Sequence, residues 1–263
     1  MSTYGKTVND VKRVKDPMKG LPKHGIREIE NDVTIVPPKF VVDKVLAKGI
    51  PKPLPDKSFF MVLSGPPGSG KSSMLVSLCT AKPPNKVYRG VFDQIILCMP
   101  EHSRNSMETD AFQGIDKRKV FDELNDKTIQ QIFSQVEKFS KQGEQTLLIL
   151  DDQASFLKAS PMISKTLAHM MNNRRHLRLS CIATLQVFNF LPMVLRKVVT
   201  HLVFWKPRHR NELESLQELM NLDKQQMLQL IQYSFRDKHD HMMVVPESGD
   251  LYRNFNTLEI TTL

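Results

Sequence analysis

Short apolar runs alternate with helical patterns from Phe59 onward, and this alternation predicts an α/β domain. The runs are FFMVLS (59–64), QIILCM (94–99), TLLILD (146–151), LSCIAT (179–184) and HLVFW (201–205). Apolar runs of this length, separated by helical segments, are typical of buried strands in a mostly parallel sheet. We therefore expect a central sheet with these five strands at its core and helices on its faces.

The segments between these runs carry apolar residues at helical spacing. In NDKTIQQIFSQVEKFSKQG one helical face holds Ile129, Ile132, Phe133, Val136 and Phe139, and Gly143 is a predicted helix stop.

Three further segments complete the predicted elements. SPMISKTLAHMMNNRRH predicts a helix with Ser160 as its N-cap and Pro161 at its first position. RNELESLQELMNLDKQQMLQLIQYS predicts one or two helices, and HMMVVPESGDLYRNF predicts a C-terminal hairpin around Gly249.

Residues 1–57 have a different composition from the rest of the chain. They are rich in lysine, carry the prolines of VPPKF and GIPKPLPDKS, and contain one short β-like run, DVTIV. Prolines at this density stop helices and favour extended chain. We predict a basic, partly disordered N-terminal arm (1–57) and one domain (58–263). The arm packs a strand on the domain, contacts a neighbouring subunit or is a solvated linker, and the sequence leaves these alternatives open.

The charge of the chain predicts a polyanionic partner. Among its 263 residues, 37 lysines and arginines exceed 28 acidic residues, which gives a formal net charge of +9. Such a surface attracts nucleic acid or anionic lipid. No apolar stretch approaches the roughly 20 residues that cross a bilayer, and the N-terminus lacks the apolar core of a signal peptide. We expect a soluble, intracellular protein with no membrane partner.

Cysteines and histidines predict no metal site. Cys79, Cys98 and Cys181 lie far apart in the sequence, which indicates neither a disulfide framework nor a zinc site. His239 and His241 fall in a charged turn without a second pair of ligands nearby.

The segment GPPGSGKS (65–72) matches the phosphate-binding pattern G-x-x-x-x-G-K-[ST] in full. Its glycines let successive backbone N–H groups converge on phosphate oxygens, and the positive end of the following helix points at them. We predict a site for ATP and Mg²⁺, in which Lys71 reaches the β and γ phosphates and Ser72 is a ligand of the metal. The predicted binding residues are Gly65, Pro66, Pro67, Gly68, Ser69, Gly70, Lys71, Ser72 and Ser73.

Two acidic residues end the third apolar run. Asp151 is the predicted Walker B acid, which coordinates Mg²⁺ through water. Asp152 is the predicted general base that polarises the attacking water, with a role as metal or helix-cap partner as the alternative. Gln186 follows the next run and is predicted to contact the γ-phosphate or the lytic water. Its alternative is a polar strand-end residue that faces solvent.

The order of the motifs resembles the additional-strand (ASCE, RecA-like) class of P-loop ATPases. The run QIILCM lies between GPPGSGKS and Asp151, so the Walker B strand is not the next strand in sequence. In that class, the strand after Walker B lies between the two motif strands and carries a polar sensor residue.

Four arginines are candidates for neutralising charge on the γ-phosphoryl group, a role often filled by a neighbouring subunit. Arg174, Arg175 and Arg178 lie in NNRRHLR, and Arg196 lies in LPMVLRKVV. Arg196 is preferred because it follows the predicted sensor strand and precedes the last core strand. All four could equally be surface or DNA-contacting residues.

Five segments together resemble the genome-packaging ATPases of large double-stranded DNA viruses, the poxvirus-type enzymes of the FtsK–HerA superfamily. These segments are GPPGSGKS, LLILDDQ, NNRRHLRLSCIATLQ, LPMVLRKVVTHLVFWKP and NELESLQEL, and the resemblance covers about residues 59–256. By position, Lys71, Ser72, Asp151, Asp152 and Gln186 match the nucleotide and sensor motifs of that family.

The resemblance implies an ATPase that assembles with itself as a ring and drives double-stranded DNA, independently of sequence, into a preformed capsid. A capsid vertex protein is a further implied partner, and the implied location is the viral assembly site in the host cytoplasm, with the virion as a second location. Residues 117–119 and 208–210 are candidate DNA contacts in the pore.

Two other functions remain open from the residues alone. A nucleoside or nucleotide kinase would use the helix-borne arginines of NNRRHLR, whereas the acidic pair with a sensor glutamine favours water activation. A nucleotide-binding virion assembly protein would not need the two acids and the sensor. A signalling GTPase is disfavoured, since DDQAS lacks the switch glycine and no N-K-x-D motif follows.

Overall fold

The computed structural model describes residues 45–105 and 111–259. Most of the predicted N-terminal arm, residues 1–44, lies outside the described residues. The strands are β1 (Phe60–Ser64), β2 (Gln94–Cys98), β3 (Val120–Phe121), β4 (Thr146–Leu150), β5 (Leu179–Leu185), β6 (His201–Trp205), β7 (His241–Val245), β8 (Asp250–Arg253) and β9 (Asn256–Leu258).

Within the described residues, these strands form one sheet in the order β3-β2-β4-β5-β1-β6-β7-β8-β9. The strands from β3 to β6 in this order are parallel, and β7, β8 and β9 continue the sheet as antiparallel strands. The five predicted strands and the hairpin around Gly249 are confirmed. The strand β5 lies between β1 and β4, as expected for the additional-strand class.

The helices are α1 (Lys71–Thr80), α2 (Glu101–Asn105), α3 (Asp126–Lys141), α4 (Ala154–Ala159), α5 (Pro161–Asn172), α6 (Met193–Arg196), α7 (Arg210–Met220) and α8 (Lys224–Ser234). In the part of the chain that the structure describes, no helix is long and apolar enough to span a membrane.

Local sequence sets the ends of the longer helices. The side chain of Asn125 accepts a hydrogen bond from Thr128 N and starts α3, and Gly143 follows its end with φ of 81°. Ser160 caps α5 by accepting from Ile163 N, with Pro161 at the first position, as predicted. The last helical segment is divided in two, because Asn221 adopts a left-handed conformation and Asp223 starts α8 with a capping box.

Alternating side chains of the strands enter two apolar cores, one on each face of the sheet. In β1, Phe60 and Val62 pack on the face covered by α3, α5 and α7, whereas Met61 and Leu63 pack on the face covered by α1. All four side chains are fully buried. The period of two therefore gives β1 two buried faces, which explains its continuous apolar sequence.

Residues 45–57 pack against the α1 face of the sheet. Leu46, Ile50 and Leu54 contact the apolar core on that face. The hydroxyl of Tyr88 donates to Pro55 O at 2.9 Å, which fixes the segment next to the end of α1. The division of the chain at residue 57 stays a prediction.

We expect Gly143→Ala to lower the free energy of unfolding by about 1–2 kcal/mol, because an L residue at positive φ is strained. Gly143 has φ of 81°, and the nearest atom to an added Cβ is 3.9 Å away, so backbone strain is the main effect. Gly114→Ala is the matched control, since Gly114 has open space around it and its φ lies outside the left-handed region. Urea unfolding of both variants measures the difference, and equal midpoints would contradict the strain argument.

Candidate functional site

The glycines of residues 65–72 allow the tight loop that joins β1 to α1. Gly68 and Gly70 have φ of 72° and 111°, a region that other residues rarely adopt. Gly70 is the N-cap of α1, and its carbonyl accepts the hydrogen bond of Met74 N at 2.9 Å. The loop, called here the phosphate loop, therefore ends directly at the positive end of the helix.

The side chain of Lys71 turns back into the phosphate loop. Its ammonium donates to Gly65 O at 2.6 Å and to Pro66 O at 3.1 Å. Burial lowers the pKa of Lys71 from its usual value, although the nearby carboxylates of Asp152 and Asp151 act in the opposite direction. Two carbonyls of the loop thus hold the lysine side chain against the loop.

The phosphate loop forms one wall of a cleft of about 230 Å³ at the carboxyl edge of the sheet. The residues that line the cleft are Pro67, Gly68, Lys71, Ser72, Leu75, Val76, Met99, Ser103, Asp151, Asp152, Thr184 and Gln186. The structure therefore brings together the predicted lysine, metal ligands, general base and sensor. The carboxyl edge of parallel strands is the common place for ligands in such folds.

Asp151 is fixed at the end of β4 by the neighbouring strand β5. The hydroxyl of Thr184 donates to Asp151 Oδ1 at 2.7 Å and accepts from Asp152 N at 3.0 Å. Asp151 is 5% exposed, and burial raises the pKa of its carboxyl, while the hydrogen bond from Thr184 and the charge of Lys71 lower it. A single hydroxyl thus orients both acidic residues.

Asp152 and Gln186 are exposed on the rim of the cleft. Asp152 has φ of 53°, an uncommon conformation for a residue other than glycine. The amide of Gln186 donates to Asp152 Oδ1 at 3.4 Å, so the predicted base and the predicted sensor are neighbours. Both residues also border a second cavity of about 570 Å³, together with Ser155, Lys158 and Phe190.

The donor atoms in the cleft fit Mg²⁺ with a nucleotide. Ser72 offers a hydroxyl and Asp151 a carboxylate in the same cleft. Across the described ranges, no group of three or more histidine, cysteine, aspartate or glutamate side chains could hold a metal ion. Mg²⁺ commonly takes one or two protein oxygens and completes its shell with water and phosphate oxygens, so this small donor set is suitable.

Three residues that the sequence did not single out hold the site together. Thr184 links the acids, as described above. Gln153, which is 1% exposed, accepts from Leu124 N and donates to Asp151 O. Glu212 of α7 is buried and accepts from Phe188 N at 2.9 Å and from the hydroxyl of Ser64 at 3.4 Å. The only signal in the sequence is a polar residue inside or beside an apolar run.

The structure does not place Arg196 among the residues that line the cleft. Its guanidinium donates to Leu191 O at 2.7 Å and to the Ser215 hydroxyl at 3.4 Å, and it lies 5.8 Å from the ring centre of Phe188. Within its own chain, Arg196 therefore connects α6 to α7. Its role in the site of a neighbouring subunit stays a prediction.

The other candidate arginines lie at the amino edge of the sheet, opposite the phosphate loop. Arg174, Arg175 and Arg178 precede β5. Arg174 donates to Ser58 O before β1, and Arg178 donates to Gly143 O before β4. They do not reach the cleft of their own chain, because the length of the strands separates the two edges.

The candidate pore residues are partly engaged within the chain. Arg118 pairs with Asp116 at 2.6 Å, and Lys119 donates to Gln94 and lies 5.3 Å from the ring centre of Phe139. Arg210 pairs with Glu214 at 2.9 Å. Their contact with DNA stays a prediction.

Solved structures with a similar fold include viral packaging enzymes. The genome packaging NTPase B204 from Sulfolobus turreted icosahedral virus 2, in complex with AMP, is 18% identical with a TM-score of 0.54, over 78% of this chain and 98% of that chain. The same enzyme with ATP-gammaS has the same TM-score and identity over 77% of this chain. B204, the DNA-packaging ATPase from Sulfolobus Turreted Icosahedral Virus, is 15% identical with a TM-score of 0.55, over 77% and 98% of the two chains.

These likenesses confirm the predicted P-loop ATPase fold. No curated protein matched the chain. The family model described as the poxvirus A32 protein matches residues 51–248, which bears out the resemblance to the poxvirus-type enzymes. Because this match spans well over half of its length, the chain belongs to the poxvirus A32 protein family.

Proposed function

We propose that the protein is an ATP-hydrolysing motor that packages viral double-stranded DNA into the capsid. The observation that carries the proposal is the cleft in which Lys71, Ser72, Asp151, Asp152 and Gln186 meet. A phosphate loop with two adjacent acids and a polar sensor has the parts needed for attack of water on a phosphoryl group. The family match and the genome-packaging role of B204 support the role in DNA packaging.

Binding of ATP would engage the phosphate loop and the lysine that it encloses. The ammonium of Lys71 now rests on Gly65 O and Pro66 O, and phosphate oxygens would replace these carbonyls as its acceptors. The N–H groups at the start of α1 would donate to the same phosphates. The ammonium of Lys71 would then place its positive charge beside the β and γ phosphates. The site is partly buried, and electrostatic interactions are stronger there than in water.

Ser72 and Asp151 would hold Mg²⁺, which supplies charge neutralisation of the phosphates. Thr184 keeps one oxygen of Asp151 engaged, and Asp151 lines the cleft. The donor set leaves room for water and phosphate oxygens in the remaining positions of the metal.

Asp152 is the proposed general base, and Gln186 the group that orients the attacking water. The water oxygen forms a bond to the γ-phosphorus while the bond to the β-γ bridging oxygen breaks, and the water proton goes to Asp152, which yields ADP and phosphate. The positive φ of Asp152 and its backbone hydrogen bond to Thr184 direct the carboxylate to the rim, next to the amide of Gln186.

Coupling to DNA would use basic side chains of an assembled ring. The net charge of +9 favours sequence-independent attraction to phosphates. Residues 117–119 and 208–210 remain the candidate contacts, and Arg196 or one of the arginines before β5 remains the candidate for the neighbouring site. A preformed capsid, through its vertex protein, is the proposed destination of the DNA.

ATP turnover by the wild type and by Asp152→Asn, with and without double-stranded DNA, tests this function. We expect turnover that DNA stimulates, and a loss of about 100-fold or more in Asp152→Asn, since a general base contributes 10²–10⁴-fold. Native mass spectrometry of the same samples should show a homo-oligomer. Turnover by a stable monomer that DNA does not change would contradict the motor, and nucleotide binding without turnover would favour an assembly protein.

We expect Thr184→Val to lower ATP turnover by about 10–100-fold, because a hydrogen bond to an ionised group contributes about 1.5–3 kcal/mol. The substitution keeps the shape of the side chain but removes the hydroxyl that joins Asp151 to the backbone of Asp152. Thr184→Ser keeps the hydroxyl and is the control, with turnover within about 3-fold of the wild type. Turnover at the wild-type rate in both variants would show that the hydroxyl has no role in the reaction.

A further inference from the structure

The turn between α8 and β7 contacts the phosphate loop at Ser69. His239 in this turn has Nδ1 at 3.0 Å from Ser69 O. A carbonyl oxygen only accepts hydrogen bonds, so Nδ1 carries the hydrogen and donates it. The residues are separated by 170 positions in the sequence, and neither the motif nor the family resemblance gives His239 a role.

This hydrogen bond fixes a peptide unit that the sequence leaves free to rotate. Gly70 has φ of 111° and ψ of 8°, and glycine populates several backbone regions with similar ease. The trans peptide is planar, so the carbonyl of Ser69 and the N–H of Gly70 point in opposite directions. With the carbonyl held by His239, the N–H of Gly70 points away from the turn.

The turn is itself held firmly by Asp240. The carboxylate of this buried residue accepts from Asn254 Nδ2 at 2.6 Å, from Arg236 N at 2.8 Å, and from Asp237 N and Arg253 Nη2 at 2.9 Å. The hydrogen bond from Asn254, followed by the others, holds the pKa of Asp240 well below its usual range. Since Arg253 ends β8, these hydrogen bonds join the turn to the hairpin.

The end of β6 supports the phosphate loop from a second direction. A Cβ added to Gly65 would lie 2.9 Å from the Cβ of Trp205 and 3.1 Å from the hydroxyl of Ser69. Trp205 pairs with His241 of β7, and the centres of their two rings are 5.6 Å apart. The loop is therefore packed against β6 and the turn before β7, with no space for a side chain at its first glycine.

We propose that His239 is a positioning residue of the phosphate loop. It holds the peptide unit between Ser69 and Gly70 so that the N–H of Gly70 faces the bound phosphates, and it thereby makes the C-terminal hairpin part of the nucleotide site. The inference rests on the proposed function only in that the loop binds nucleotide phosphates.

Calorimetric binding of ATP and of inorganic tripolyphosphate, which lacks base and ribose, tests this role. We expect His239→Ala and His239→Gln to bind both probes about 5-fold more weakly, since one hydrogen bond is worth about 1 kcal/mol net. In His239→Asn, the amide nitrogen is attached to the same atom, Cγ, as Nδ1 of histidine, so we expect binding within about 2-fold of the wild type. His176→Ala, an exposed histidine at the opposite edge of the sheet, is the control and should bind like the wild type.

Three outcomes would overturn the proposal. Unchanged affinity of His239→Ala and His239→Gln for both probes would show that the loop needs no support from the turn. A loss for ATP but not for tripolyphosphate would place His239 against the base or ribose. A loss in His239→Asn equal to that in His239→Ala would exclude the hydrogen bond as the cause. Thermal unfolding of each variant identifies any that fail to fold, and the comparison of Asn with Gln, both amides, then remains decisive.

This test is independent of catalysis. If the wild type binds both probes and does not hydrolyse ATP, the proposed motor fails while the role of His239 is still measured. If hydrolysis is present and His239→Ala and His239→Gln bind like the wild type, only the role of His239 fails.

Discussion

The parallel pairing of β5 with both β1 and β4 is the constraint on which the site depends. Leu63 pairs with Thr184, and Leu150 pairs with Ala183, so Asp151, the residue after β4, reaches the Thr184 hydroxyl. A shift of β5 by one residue would turn Thr184 to the other face of the sheet, away from α1 and Lys71. The buried apolar faces of β5 oppose such a shift, because its residues fill two different cores. Packing of the sheet thus sets the geometry of the cleft.

Much of this arrangement follows from local sequence patterns. Apolar runs such as TLLILD predicted the five core strands, because strands buried on both faces need apolar residues throughout. The glycines and Lys71 of the phosphate loop predicted its location, since few other sequences can make that turn. The two-residue β3 and the three-residue β9 were not predicted, because segments this short carry no periodicity.

The remaining contacts join residues distant in sequence and therefore have no local signal. Glu212 binds Phe188 N from another helix, and Thr184 meets Asp151 only because their strands are neighbours. Arg196 was preferred for its position in the chain order, yet its guanidinium is bound to Leu191 O and Ser215. The order of the elements along the chain indicates near which strand end a residue lies. The direction of its side chain depends on the packing around it.

The energy of ATP hydrolysis in this cleft is proposed to move double-stranded DNA. Displacement of a triplex-forming oligonucleotide from linear duplex DNA measures such movement directly, since a translocating motor removes the third strand in its path. We expect displacement that requires ATP, does not depend on the flanking sequence and is lost in Lys71→Ala. Ongoing ATP hydrolysis by the assembled wild type with no displacement on any duplex would contradict it.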